Sequence, residues 1–165
     1  MAAYRLQKNN PNLIENYSSA ELDASIDLAI ELMITPLQGV VKVIHSYPDV
    51  NFLHSMTDVS GFGLSGHLRE MLQDSKYSAT IEKVPLIRLT EDLAYDFGYK
   101  FDTLEMPETA GGMLLSVDHT QAEEFSENLK KHGVKNWIVG TVDNEHKSKT
   151  THISDDIEYL EITKI

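Results

Sequence analysis

A mixed α and β fold is predicted for this chain by three observations. Apolar residues recur every three or four positions up to residue 44, short apolar runs bounded by glycine or proline follow, and the two kinds of segment then alternate. With 165 residues the chain is one domain, long enough to bury a core without staples. It has no cysteine, which excludes disulfides, thiolate zinc sites and thiol nucleophiles and fits a reducing compartment. Lys and Arg number 14 against 26 Asp and Glu, a formal net charge of -12. That balance argues against non-specific nucleic-acid binding and against anionic membranes, both of which need basic residues. No uninterrupted apolar run is long enough for a span, and no signal-type stretch follows Arg5. The expectation is an acidic, cytoplasmic domain with neither nucleic acid nor membrane as a partner.

Residues Met1 to Tyr17 are polar, with Asn9, Asn10, Pro11 and Asn12 together, and are expected to form a mobile lead-in (1–17) to a folded unit, 18–165. Ser18 or Ser19 offers an N-cap, and Glu21 and Asp23 suit the positive end of a helix. Leu22, Ile26, Ile30, Met33, Leu37, Val40 and Ile44 mark one helical face. Pro36 interrupts it: Thr35-Pro36 either caps a second helix or kinks one long helix. Asp49 to Met56 reads as a strand, and Gly63 to Gln73 as a helix with Leu64, Leu68, Met71 and Leu72 inward. Ser78 to Val84 alternates like a strand that Pro85 stops. Leu86, Leu89, Leu93 and Phe97 form a helical stripe ended by Gly98. Gly112 to Val117 is a second buried strand. Asp118 and Gln121 have capping-box spacing before a helix through Ala122, Phe125 and Leu129, closed by Gly133. Trp137 to Val142 reads as a strand, Asp143 to Ser154 as a charged loop, and Ile157 to Ile165 as a last strand.

The segment Met56 to His67 carries the clearest chemistry. An apolar run leads into Asp58, then Gly61, Gly63 and Gly66, then an amphipathic helix. Helix starts leave backbone N–H groups unpaired and carry partial positive charge, so they suit phosphate, and glycines allow close approach. A metal ion between carboxylate and phosphate would reconcile Asp58 with such a cradle. The pattern points to a metal–nucleotide site, with a plain strand-to-helix turn as the alternative. Gly61 to Gly66 also matches G-x-G-x-x-G, with Glu82 near the place of a ribose-binding acid. Two helices precede the first strand, however, and Asp58 would face a pyrophosphate unneutralised, which argues against a dinucleotide fold. No Lys-Ser or Lys-Thr follows the glycines, so the Walker pattern is absent.

Gly111-Gly112 entering a strand suggests a bulge or a close backbone approach, with Glu108 and Thr109 either aimed at a site or plain loop surface. His54 is expected on a sheet face or in the core, and His67, one turn into the helix, either faces the loop or packs. No histidine pair has metal-site spacing, and no serine sits in a nucleophile elbow, which sets hydrolase triads aside.

Together, and in this order, the glycine clusters resemble a known family. Thr57-Asp58-Val59-Ser60-Gly61-Phe62-Gly63-Leu64-Ser65-Gly66-His67 closely resembles the Thr-Asp-Val-Thr-Gly-Phe-Gly-Leu-x-Gly-His signature of selenophosphate synthetases (selenide, water dikinases). Pro107-Glu108-Thr109-Ala110-Gly111-Gly112-Met113-Leu114 is similar to their Pro-Gln-Thr-Ser-Gly-Gly-Leu-Leu, and Ile138-Val139-Gly140-Thr141-Val142 to their late Ile-Gly-x-Val strand. The likeness runs roughly from residue 19 to 142. It implies an α/β (α+β) fold, a layered α–β–α domain like the C-terminal domain of aminoimidazole ribonucleotide synthetase. In that superfamily the N-terminal halves dimerise and supply most of the ATP site. That half, with its Cys or selenocysteine, its Lys and the other metal-binding aspartates, has no counterpart in this sequence.

The resemblance implies ATP and magnesium as cofactors, with Asp58 as a metal ligand and Ser60, Gly61 and Gly63 bordering the ATP phosphates. Thr57, Glu108, Thr109, Gly111 and Gly112 are candidate site-lining residues, and no proton-transfer role is implied for His67. The expected function is to complete a magnesium–ATP site for phosphoryl transfer to selenide. The expected partner is a separate or removed N-terminal half, or another subunit, and the isolated chain is expected to be inactive. One carboxylate is too little to hold magnesium tightly. The alternative is a stand-alone interaction or regulatory domain, associating with itself or with another protein. The shortened stretch 98–104, and Glu108 and Ala110 in place of Gln and Ser, favour that alternative.

Overall fold

The computed structural model describes residues 16–106, 111–143 and 150–162. The elements in order are α1 (Ser19–Ile34), α2 (Gln38–Ile44), β1 (Leu53–Asp58), α3 (Gly63–Leu72), β2 (Ser78–Ile87), α4 (Thr90–Asp96), a 3-10 turn (Phe101–Thr103), β3 (Met113–Val117), α5 (Ala122–Lys131), β4 (Gly140–Asp143) and β5 (Thr151–Ile162). β1 and β3 pair antiparallel as a two-stranded ribbon. β2 is the centre of a three-stranded sheet, antiparallel to β4 and parallel to β5.

The ribbon is sandwiched between helices, which is the α–β–α layering expected. On one side Val40, Val43 and Ile44 of α2 and Phe125 and Leu129 of α5 close over Phe52, Leu53, Met113, Leu115 and Val117. Tyr47, Phe52 and Phe125 form a tilted ring cluster there, with centroids 4.7 to 5.9 Å apart. On the other side Leu114 turns towards Leu68 and Leu72 of α3, which pack in turn on Ala79, Ile81 and Val84 of β2. The switch between sides follows from strand alternation: Leu115 lies opposite Met56 and Leu114 opposite Thr57, so neighbours in β3 face opposite layers. A third, smaller cluster joins α1 to α4 through Leu22 and Leu93, with Tyr17, Ile26, Leu89 and Phe97 around them.

Several expectations from periodicity are corrected. α1 buries Leu22, Ser25 and Leu28, while Ile30 is 45% and Ile34 72% exposed, so its inward edge is rotated from the predicted stripe. α1 is apolar on more than one side, and the hydroxyl of Ser25 selects the edge by donating to the Arg88 carbonyl at 3.0 Å. Pro36 lies between two helices rather than at the first position of either: Thr35 caps the end of α1, Leu37 precedes α2, and the helices meet at 48°. No single helix among the described residues is long and apolar enough to cross a membrane. β1 starts at Leu53 instead of Asp49, because the Asp49 carboxylate takes the N–H of Asn51 and makes a turn of that stretch.

Pro85 does not stop β2. β4 pairs only as far as Ile81, so from Pro85 onward β2 has β5 as its one neighbour and an imino acid can face the open side. Leu86 therefore belongs to a strand, and Leu89, at φ 67°, precedes α4 instead of lying in it. Gly98 and Gly133 do follow helix ends in the left-handed conformation. The capping box at Asp118 is replaced by a turn in which its carboxylate accepts the N–H and hydroxyl of Thr120, and Gln121 caps α5 through its position alone. β4 starts at Gly140 and not Trp137, although the Val139 carbonyl still accepts the N–H groups of Glu82 and Lys83. β5 starts at Thr151, inside the stretch read as loop, because it fills the vacant side of β2.

Of the predicted lead-in, residues 1–15 lie outside the described residues, and Tyr17 is anchored. Its hydroxyl donates to Asp96 at 2.5 Å, and burial followed by that carboxylate pushes its pKa up to about 12. The folded state thus favours the neutral phenol more than an ordinary tyrosine near 10.0 does. The stabilisation is complete below pH 10 and lost as pH rises towards 12. In an alkaline absorbance titration Tyr17→Phe should remove one late-titrating tyrosine and leave two others: Tyr95, pushed up to about 12 by its hydrogen bond to Asp102, and Tyr159, raised by burial. A Tyr17 titrating near 10.0 would contradict this docking of Tyr17 on α4.

Candidate functional site

The two glycine clusters, fifty residues apart from Gly61 to Gly111, meet at one end of the ribbon. Thr57 pairs with Leu114 and Asp58 with Met113, and one step beyond the ladder the Val59 N–H donates to the Gly112 carbonyl at 2.9 Å. A Cβ on Gly111 would stand 2.9 Å from the Val59 carbonyl, so a small residue is needed for the segments to abut. Asp58 is exposed at the last paired position of β1, and Thr57, on the opposite face, is half-buried.

The chain then turns into α3. Gly63 donates its N–H to the Ser60 carbonyl at 3.0 Å and adopts φ 70°. A Cβ there would stand 2.4 Å from the Leu104 carbonyl oxygen and 2.8 Å from the Met106 nitrogen. Glycine is thus required twice over, by its left-handed backbone and by the chain that crosses it. That crossing segment also caps the helix: the Leu104 carbonyl accepts the Ser65 N–H at 3.2 Å, and the Thr103 carbonyl accepts the Ser65 hydroxyl at 2.5 Å. Two donors of the helix start are therefore committed inside the molecule. Among the described residues no acceptor is found for the N–H groups of Gly61, Phe62 and Leu64, which leaves these as donors at the helix start.

His67 both packs and faces the loop. Its side chain is buried, its ring lies 5.4 Å from that of Phe62, and its Nε2 is 3.2 Å from the Ser60 hydroxyl. Its Nδ1 lies 3.0 Å from the Glu70 carboxylate, close enough for an ion-pair contact but too poorly aligned to count as a hydrogen bond. Arg69, on the same helix, is held by Glu105 at 2.7 Å. Gly61 and Gly112 are exposed with open space around them, while Glu108 and Thr109 lie outside the described residues. His54 is exposed on the ribbon.

Periodicity missed the 103–106 crossing, which no motif marks, and missed Glu70. Glu70 was legible in principle: a residue three after His67 lies on the same helical face.

The dinucleotide reading is overturned by topology. The strand before the glycines belongs to the ribbon and the strand after α3 to the other sheet, so no parallel strand–helix–strand unit surrounds Gly61 to Gly66. Glu82 contacts Thr141 across to β4. For magnesium the fit is poor on this chain alone. Among the described residues no three His, Asp or Glu side chains gather into a metal-binding group, and a lone exposed carboxylate does not satisfy an octahedral ion.

Residues 17–153 match the family model described as AIR synthase related protein, C-terminal domain. The chain belongs to this family. Across 98% of its length it is 29% identical to the selenide, water dikinase of Methanocaldococcus jannaschii, of which it covers 47%. It is 30% identical to that of Methanococcus maripaludis, covering 98% of itself and 49% of the relative. Selenide, water dikinase 2 of Mus musculus is 28% identical over 88% of this chain and 32% of its own. The chain thus spans about half the length of the first two relatives. A chain in the crystal structure of a HypE–HypF complex shares the fold, with a TM-score of 0.59 over 73% of this chain and 38% of that one, at 21% identity.

Gly63→Ala in this AIR synthase-type domain should cost at least about 2 kcal/mol in chemical denaturation, from backbone strain plus displacement of the Leu104 carbonyl. Gly61→Ala, with nothing within 4 Å of the added carbon, should stay within about 1 kcal/mol of the parent. Equal costs for the two would show that the crossing segment does not constrain the loop.

Proposed function

We propose that the domain supplies the C-terminal part of an ATP-dependent phosphoryl-transfer site of the selenide, water dikinase kind, completed by a second protein half. The observation that carries this reading is the meeting of the two glycine-bearing segments beside Asp58 at the start of α3. The family match and the relatives' names support the same direction. Phosphoryl transfer depends mainly on positioning and on neutralising charge, so a site divided between two halves is chemically reasonable. In this reading the Gly61 and Phe62 N–H groups face phosphate oxygens. Gly63 sets the turn with its own N–H spent on the Ser60 carbonyl, and Gly111 and Gly112 keep the neighbouring segment free of side chains. Thr57 lines the ribbon side. Asp58 contributes one carboxylate towards magnesium, and the remaining ligands belong to the other half.

A second reading is favoured by one observation. Ile34, Phe62 and Met56 are large, apolar and at least half exposed, and Asp58 has no metal-binding cluster around it among the described residues. A domain that had given up the reaction and kept a protein-binding surface would look the same.

Calorimetry with magnesium and ATP separates the two, using the chain alone and the chain mixed with the N-terminal half of the Methanocaldococcus jannaschii relative. Binding confined to the mixture, and weakened at least about tenfold by Asp58→Ala as expected for loss of a charged contact, supports the divided site. No binding in a mixture whose halves demonstrably associate would overturn it in favour of the interaction domain.

A further inference from the structure

We propose that His67 is a positioning residue for the glycine loop, carrying its proton on Nδ1 and holding the Ser60 hydroxyl at Nε2. Among the described residues the loop's main chain is tied by the Val59 N–H to Gly112 at its start and by Gly63 and Ser65, which meet the Ser60, Leu104 and Thr103 carbonyls, at its far end. The Ser60–His67 contact, 3.2 Å long, bolts the start of the loop to the second turn of α3.

Three features fix the imidazole's role. Nδ1 lies 3.0 Å from the Glu70 carboxylate, off the hydrogen-bond axis but close enough that an N–H is attracted and a ring lone pair repelled. With the proton on Nδ1, neutral Nε2 has a lone pair only, so Ser60 must be the donor. The ring is also confined: it is 6% exposed and lies against Phe62. Phe62 in turn is seated over Gly66, where a Cβ would stand 2.7 Å from the Phe62 Cβ. The imidazole has little room to turn towards another partner.

The consequence concerns Ser60. Its hydroxyl proton is committed inward, so it presents lone pairs outward, and an anion, itself an acceptor, gains no hydrogen bond from it. Ser60 therefore shapes the loop, and the donors left for an anion are backbone N–H groups, those of Gly61, Phe62 and Leu64. The assignment concerns the same loop as the proposed phosphate site but stands apart from that function, because its test uses no ligand.

The test is nitrogen-15 NMR on the whole chain, with amide hydrogen exchange. His67 should show a protonated, pyrrole-like Nδ1 and a pyridine-like Nε2, and Ser60→Ala should shift the Nε2 resonance. Glu70→Gln, a surface change that leaves the core intact, should admit the opposite tautomer. His67→Gln, whose side-chain carbonyl can accept from Ser60, should leave Gly63 amide exchange within about twofold of the parent, while His67→Leu should speed it roughly tenfold. A pyridine-like Nδ1 in the parent chain, or an Nε2 signal indifferent to Ser60→Ala, would overturn the proposal. So would equal exchange in the Gln and Leu variants. Should the Leu variant not fold, the tautomer and its response to Ser60→Ala and Glu70→Gln still decide.

Discussion

The Leu104 carbonyl stands where a side chain at residue 63 would begin, and it accepts the N–H of Ser65 two residues further on. This contact sets where α3 starts and how it is aimed. Leu104 itself is held in the left-handed region at φ 53°, a conformation that costs a leucine about 1 to 2 kcal/mol. The cost is offset because its side chain is 3% exposed, packed with Leu68, Leu72 and Ile81 in the second core. A strained backbone, a buried leucine and an obligatory glycine thus form one unit. α3 cannot shift along its axis without breaking the contact that starts it and uncovering the leucine that anchors it.

Because α3 is fixed at its start, it can serve two layers. Leu114 of the ribbon approaches it from one side and β2 from the other. The glycine loop consequently sits at the boundary between a two-stranded ribbon and a three-stranded sheet that share no strand. The loop lies where the chain leaves one sheet and, through a helix, enters the other. The Val59 N–H to Gly112 carbonyl bond holds the second glycine segment beside it.

The motifs were legible in the sequence because they state a backbone requirement. Gly63 and Gly111 are glycines for steric reasons that any reader of a strand-to-helix turn would suspect, and the structure supplies the obstructing atoms. The alternation of helix and strand was legible as well. Boundaries were not, since they depend on neighbours the sequence does not display. Pro85 is harmless only because β4 ends at Ile81, and β5 extends back to Thr151 only because β2 has a free side. The face of α1 was misread because its apolar residues encircle it, and a single hydroxyl, Ser25, selects the edge that is buried. The crossing at 103–106 had no signal at all: it acts through main-chain carbonyls, which carry no side-chain signature.

Charge bears on the proposed reading of this domain as half of a site. The loop offers N–H groups and a helix dipole worth about half a positive charge, against the full negative charge of exposed Asp58. Arg69 adds little, being paired with Glu105. The formal charge of -12 on the whole chain is largely screened from an approaching polyphosphate beyond a Debye length, about 8 Å at physiological ionic strength, and acts on it within that distance. Even there the local balance is not positive. A polyanion can settle on this loop only if cations arrive with it or are presented by a facing surface. Affinity for the anion and assembly with a cation-bearing partner are then thermodynamically linked: whatever strengthens one strengthens the other by the same free energy.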